Sequence, residues 1–300
     1  MRSRVFVTGG TGFVGAHVVR ALSEAGHDVT VLARDPRGAT ALGALPGVTL
    51  AAGELEDSAP WQNTLSTHDA CIHLALIWGD AADDLALADL RASARLFERA
   101  ADAGVEHMIY TSSAAVHRPW RPRMDAYDAL RSADYYGATK ASGEAFLSAV
   151  CCQRAMRGNV LRPGAVVGAA GFPGAPVRID RRIAGMIDAA RRGETLRVAP
   201  GDGRQFIAAG DLARLYVALL ASGCNHERFV AVAPEVIPWE EVADTVVAAV
   251  GAGRVEVDGG DAVTPAVFDV GHTERHLGAI PSARAALREA IRLRCDETAP

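Results

Sequence analysis

The stretch from Val5 to Gly15, Val-Phe-Val-Thr-Gly-Gly-Thr-Gly-Phe-Val-Gly, constrains this chain more than any other. A short β-branched and aromatic run ends in glycines, and an amphipathic helix pattern follows at once. That order reads as a strand, a tight turn and a helix start. Gly9 allows the turn, Gly12 lets a pyrophosphate approach the backbone, and Gly15 lets the helix pack close to the sheet. Unpaired N–H groups and the dipole at the helix start then favour phosphate. Thr11, Phe13 and Val14 belong to the same turn. The spacing is Gly-x-x-Gly-x-x-Gly, and a glycine-rich loop without a ligand is the competing reading until other residues support binding.

The rest of the chain repeats the alternation. Strands are expected at residues 29–32, 48–51, 70–75, 107–111 and 159–162, and helices at 14–25, 82–103 and 139–155. Strands and helices alternating on this scale predict a doubly wound parallel α/β sheet, the Rossmann arrangement. Residues 1–168 are assigned to this nucleotide-binding domain. After Gly168 the pattern loosens through a Gly/Pro-rich segment, residues 171–176. Helices at 181–192, 211–221, 239–250 and 282–292 then mix with short strands. Residues 169–300 are expected to form mainly a smaller α/β substrate domain, with some segments returning to the first sheet. Residues 296–300 are expected to be a disordered tail.

At 300 residues and 49% hydrophobic, the chain can bury a large core. A net charge of −5 gives no basic surface suited to nucleic acid. No apolar run is long enough to span a membrane, and the first strand begins too early for a signal peptide. Cys71, Cys151, Cys152, Cys224 and Cys295 show no metal-ligand spacing. They read as reduced thiols of a cytoplasmic protein without a metal site.

Strand two ends in Ala33-Arg34 rather than in an acid. An acid there binds ribose hydroxyls, whereas a planar guanidinium suits a 2′-phosphate. Arg34, with Arg37 nearby, therefore favours NADP, with NAD as the alternative. Glu54 and Leu55 are placed near the adenine ring.

Tyr136 and Lys140 lie four residues apart and share one helical face. A neighbouring ammonium favours a phenolate, so Lys140 is expected to lower the phenol's pKa for proton exchange with a hydroxyl or carbonyl. Ser113 stands at the carboxyl end of the fifth strand, where open α/β sheets hold ligands. It is placed to orient the reacting oxygen. Each feature alone is common, and surface residues or a Ser/Thr turn would explain it.

Taken together, Thr8-Gly9-Gly10-Thr11-Gly12-Phe13-Val14-Gly15, His73-Leu74-Ala75, Thr111-Ser112-Ser113-Ala114-Ala115-Val116, Tyr136-Gly137-Ala138-Thr139-Lys140 and the run from Arg162-Pro163-Gly164 through Val166 to Gly168 resemble the extended short-chain dehydrogenases/reductases of the NAD(P)-dependent epimerase/dehydratase family. The resemblance covers nearly the whole chain. It implies catalytic roles for Ser113, Tyr136 and Lys140, and cofactor contacts from Leu74, Ala75, Tyr136, Lys140, Pro163 and Val166. It also implies a homodimer packed through the helices at 82–103 and 139–155. Three departures stand out. His117 replaces a frequent tyrosine, Asp89 occupies the place of a lysine-supporting asparagine, and Ala114-Ala115 replace the acid pair that sugar dehydratases use to eliminate water. Ala114, His117 and Arg204 are substrate-side candidates, within or opposite a basic and aromatic loop, residues 117–134, that suits an anionic or ring-shaped small molecule.

The expected function is a hydride transfer between nicotinamide and a carbonyl or secondary alcohol carbon. A nucleotide-sugar 4-epimerase with retained NAD is the second reading. A non-catalytic NADP-binding redox sensor is the third.

Overall fold

The computed structural model describes residues 2–77 and 82–297. Seven strands form one parallel sheet: β1 (Arg4–Thr8), β2 (Asp28–Ala33), β3 (Val48–Ala52), β4 (Ala70–His73), β5 (His107–Thr111), β6 (Arg157–Pro163) and β7 (Arg228–Ala231). Their spatial order is β7-β6-β5-β4-β1-β2-β3. The chain runs outward from β1 to β3 and then returns to place β4 on the other side of β1. That reversal opens a crevice at the carboxyl ends of β1 and β4, where doubly wound sheets take ligands.

Both faces of the sheet are covered, so its inner strands β4 and β6 are almost wholly buried. Val5 and Val7 point into one core with Val18, Val19 and Leu22 of helix α1 (Phe13–Glu24). Phe6, between them, points to the opposite core. There it meets Leu96 and Phe97, and Leu147 and Cys151, across the sheet's other face. Those residues belong to the long helices that follow β4 and β5. After the short α2 (Thr40–Gly43), these are α3 (Ala82–Asp102) and α4 (Tyr135–Arg154), which pack against each other.

The later part of the chain carries α5 (Arg181–Arg191), α6 (Ala209–Ala221), α7 (Trp239–Val250), α8 (Gly271–Leu277) and α9 (Arg284–Glu297). Helices α5 and α7 pack on a parallel pair of strands, Thr195–Val198 with Arg254–Val257, and α9 packs on α7. The chain also goes back to the main sheet. Helix α6 packs on α1, and β7 extends the sheet beside β6. The sequence reading located six strands of this sheet. It left the seventh among unassigned short strands, because a four-residue run after a long excursion carries little pattern of its own. Asp296 and Glu297, expected in the tail, close α9; residues 298–300 lie outside the described residues.

Two small pairings carry the substrate-side loops. Arg123–Met124 pairs with Val267–Phe268, and Ala165–Val167 pairs with Phe206–Ala208. The first ties the 117–134 loop to the C-terminal part of the chain.

Candidate active site

The turn after β1 is built of backbone. Gly9 has φ +72° and lies against Leu74 and Ala75, so a side chain there would strike the Ala75 backbone nitrogen. A Cβ at Gly15 would fall on the Gly9 carbonyl oxygen. Gly15 thus closes the helix on the turn rather than on the sheet, as its position in the sequence had suggested. Gly12 is the N-cap of α1, and no side chain caps that end. Its only close neighbour is the Gly9 carbonyl, 3.3 Å from an added Cβ. The helix start therefore presents bare N–H groups, which suit a phosphate. Leu74 and Ala75 follow β4 across the crevice, with Leu74 N donating to the Thr8 carbonyl at 3.1 Å. Phe13 is buried against His17, and Thr11 and Val14 are half-buried.

At the carboxyl end of β2, Arg34 and Arg37 are exposed. Asp35, which the sequence reading passed over, folds back to accept the Arg37 backbone N–H at 3.0 Å and caps a short 3-10 turn. Glu54 and Leu55 follow the adjacent strand. Trp61, also unforeseen, holds them by donating its indole N–H to the Glu54 carbonyl at 2.8 Å while stacking on Phe6.

The candidate reacting cluster lies at the end of β5. Ser113 caps a 3-10 turn, its Oγ accepting the Ala115 N–H at 3.2 Å. Tyr136 sits in the first turn of α4, whose N-cap Asp134 accepts the Gly137 N–H at 2.7 Å. Gly137 brings this turn close, since a Cβ there would lie 2.8 Å from the Ala115 carbonyl. Ser113 and Tyr136 line one pocket, and their side chains interact.

Lys140, one turn on, is 3% exposed. Its Nζ lies 3.6 Å from Asp89 Oδ2 and over the Tyr110 ring, 5.1 Å from its centroid. Asp89 Oδ1 accepts the Ile77 N–H at 2.9 Å. Burial lowers the Lys140 pKa, and Asp89 opposes that shift. The Tyr136 pKa is raised, first by burial, with Ser113 pulling it down and the Asp89 carboxylate pushing it up. The expected lowering of the phenol by Lys140 is not among these causes. The ammonium's charge is met by Asp89, and desolvation dominates.

A further turn along the same face, Glu144 pairs with Arg162 through two hydrogen bonds of 2.8 and 2.5 Å. Both residues are buried. The i+4 spacing from Lys140 was visible in the sequence, but Arg162, on β6, was not an obvious partner. Arg162 also donates to the Ala126 carbonyl at 2.6 Å and meets His117 Nε2 at 3.0 Å. This network draws His117 inward. It is 3% exposed, and the structure does not bring it to the pocket wall. Burial, then Arg162, lowers its pKa to about 4.

One pocket gathers Ser113, Ala114, Tyr136, Pro163 and Arg204 with Arg118 and Trp120. Val166 lies beside it on the small strand Ala165–Val167. In the sequence, Arg118 and Trp120 stood only within the basic and aromatic loop at residues 117–134. The sequence reading missed Gln205 and Phe268, which complete the wall.

Comparison with known proteins identifies the family. Residues 5–231 match the model of the NAD dependent epimerase/dehydratase family. The chain is 30% identical over 269 residues to a dTDP-4-dehydro-6-deoxy-D-allose reductase from Streptomyces sp, covering 82% of this chain and 81% of that protein. A match at 42% identity to the uncharacterized protein C2A9.02 of Schizosaccharomyces pombe spans only 25% of each chain. Among solved structures, MoeE5 in complex with UDP-glucose and NAD superposes with a TM-score of 0.78 at 24% identity, covering 99% of this chain and 100% of that one. The chain belongs to the NAD dependent epimerase/dehydratase family and is an enzyme of the extended short-chain dehydrogenase/reductase type.

Proposed function

We propose that this enzyme is an NADP-dependent reductase or dehydrogenase of a carbonyl or secondary alcohol carbon, with Ser113, Tyr136 and Lys140 as its proton relay. The observation that carries the reading is Ser113 and Tyr136 side by side in one pocket, beside the buried Lys140–Asp89 pair, at the carboxyl end of β5. The glycine turn and uncapped start of α1 fit a dinucleotide's pyrophosphate. Arg34 and Arg37, for which no ion-pair partner occurs among the described residues, fit a 2′-phosphate. When bound, the cofactor supplies a hydride at its nicotinamide.

The chain's own residues handle the proton. Ser113 positions the carbonyl oxygen toward Tyr136. The phenol, held above its ordinary pKa of about 10, is neutral at pH 7 and donates its proton to that oxygen as hydride reaches the carbon. The ketone becomes an alcohol, and the phenolate left behind lies one helical turn from the Lys140 ammonium until solvent returns the proton. The relative named a reductase supports this direction of chemistry. Exposed Leu87 on α3 and Phe146 on α4 fit the proposed homodimer. The five cysteines, all free, fit a reducing cytoplasm.

The test is NADPH oxidation against a panel of ketones. Tyr136→Phe should cut turnover by roughly 10²–10⁴-fold and leave the NADPH dissociation constant unchanged. Unchanged turnover would remove the relay. Tight NAD retained through purification, with interconversion of nucleotide sugars, would favour the epimerase reading.

A further inference from the structure

We infer that the substrate of this pocket is an uncharged ring ketone, or its alcohol, held flat against Trp120, and that the pocket is not built for a nucleotide diphosphate. The inference rests on the oxidoreductase reading above and names its substrate class.

A diphosphate brings at least two negative charges, and holding them takes an uncapped helix start, as at α1, or cations whose charge is not already met; the starts of α4 and α5 are both capped by acids. The cations lining this pocket, among the described residues, are Arg118 and Arg204. Both are matched. Arg118 Nη1 lies 2.6 Å from Asp134 Oδ2, and Arg204 Nη1 lies 2.6 Å from Asp180 Oδ2. Neither acid is a loose surface group. Asp134 is the N-cap of α4, its other oxygen accepting the Gly137 N–H. Asp180 is the N-cap of α5 and accepts the Arg182 N–H at 2.8 Å. Drawing either arginine onto a phosphate would leave a capping carboxylate without its cation. Arg204 is also largely buried, and Arg118 acts on it as a like charge. The two guanidiniums are therefore held close together by their acids.

What they hold is Trp120. The Arg118 and Arg204 guanidinium carbons lie 5.1 and 5.4 Å from its ring centroid. Phe268 meets it in an edge contact at 6.4 Å. The indole is still 37% exposed. A large aromatic face, fixed from two helix caps yet open to solvent, offers stacking area at little entropic cost on binding. The remaining polar wall residue, Gln205, is spent on the fold. Its amide donates to the Ala233 and Phe268 carbonyls at 3.1 Å, and its carbonyl accepts the Phe268 N–H at 2.6 Å. Ala114, Val232, Ala266 and Phe268 supply apolar contact. The polar groups offered for recognition are thus Ser113 and Tyr136, which suit one carbonyl oxygen. Asp134 couples the two functions, since it caps the helix that presents Tyr136 and anchors the arginine that orients Trp120.

The experiment uses the full chain saturated with NADP⁺, titrated calorimetrically with 1-tetralone, a flat two-ring ketone, and separately with dTDP-glucose. The expected result is a dissociation constant for 1-tetralone at least tenfold below that for dTDP-glucose. Trp120→Ala should raise the 1-tetralone value at least tenfold, and Trp120→Phe should restore most of the loss. Both variants should keep the wild-type NADPH affinity. The proposal is overturned if dTDP-glucose binds as tightly or more tightly, if 1-tetralone shows no binding, or if Trp120→Ala leaves its affinity unchanged. Turnover separates this from the parent reading. Trp120-dependent binding of 1-tetralone that no ketone converts into NADPH oxidation would remove the reductase and leave the pocket's selectivity. Reduction of a dTDP-keto sugar in preference to ring ketones would do the reverse.

Discussion

The crevice joins two regions built from opposite materials. At the Gly9–Gly15 turn the chain removes side chains and offers backbone, so that an added Cβ would strike Ala75 or the Gly9 carbonyl. Around α4 the chain buries charge: Lys140 against Asp89, and Glu144 against Arg162, all at most 3% exposed. The first region suits a phosphate by shape and by dipoles that need no titration. The second sets a proton's affinity through neighbouring charges, so its chemistry depends on which charges are met. A backbone site tolerates changes of pH but not added volume; a side-chain site tolerates neither a lost partner nor a change of protonation.

Acid should expose that difference with the largest effect. Burial lowers His73 to about 3, His107 to about 3 and His117 to about 4. Their folded pKa values lie below the unfolded value of about 6.5, so at pH 7 all three are neutral in both states and cost nothing. As pH falls below 6.5 the unfolded chain takes up protons that the folded chain refuses, and stability drops until the folded values are reached. At pH 5 the loss is about 2 kcal/mol per histidine. Urea unfolding at pH 7 and pH 5 measures it, and a flat profile between them would contradict the buried neutral imidazoles.

The cradle should break through volume instead. Gly15→Ala puts a methyl group on the Gly9 carbonyl, and the backbone has nowhere to move without opening the turn. NADPH binding should weaken by roughly a thousandfold, about 4 kcal/mol. Calorimetric titration reads this directly. A variant with near-normal affinity would show that the turn does not position phosphate.

Much of the cradle was legible in the sequence because its signals are local: three glycines at fixed spacing, flanked by a strand pattern and a helix pattern. The Tyr136–Lys140 face was legible for the same reason. The reacting cluster's energetics were not. Whether Lys140 lowers a phenol depends on what else meets its charge, and Asp89 comes from a helix some fifty residues earlier. His117 stands beside the serine motif in sequence, yet Arg162 pulls it behind the pocket wall. Nothing in the sequence singles out Asp134 or Asp180. Their pairing with Arg118 and Arg204 exists only once the fold brings those distant side chains beside them.

Asp89→Asn sharpens the side-chain half. It removes a carboxylate that raises the phenol's pKa and leaves a buried ammonium unpaired. Stability should fall by about 3 kcal/mol. The inflection of kcat/KM for alcohol oxidation, which needs the phenolate, should move to lower pH. A residue with only a packing role would lower activity without moving that inflection.

The smallest effect tests the one place where the cradle uses side chains. Ala33 ends β2, and Arg34 follows it, exposed and beside Arg37. Asp35, the nearest acid, turns one carboxylate oxygen to the Arg37 backbone N–H and caps the 3-10 turn there. A 2′-phosphate here would sit in solvent-exposed surroundings, where one charge pair contributes modestly. Arg34→Ala should therefore raise the NADPH dissociation constant by about tenfold, or about 1.4 kcal/mol, and leave that of NADH unchanged. Salt should erode the wild-type preference, because an exposed pair is screened. Equal affinities for the two cofactors in the wild-type chain would mean that this rim, like the rest of the cradle, reads backbone-held phosphates alone.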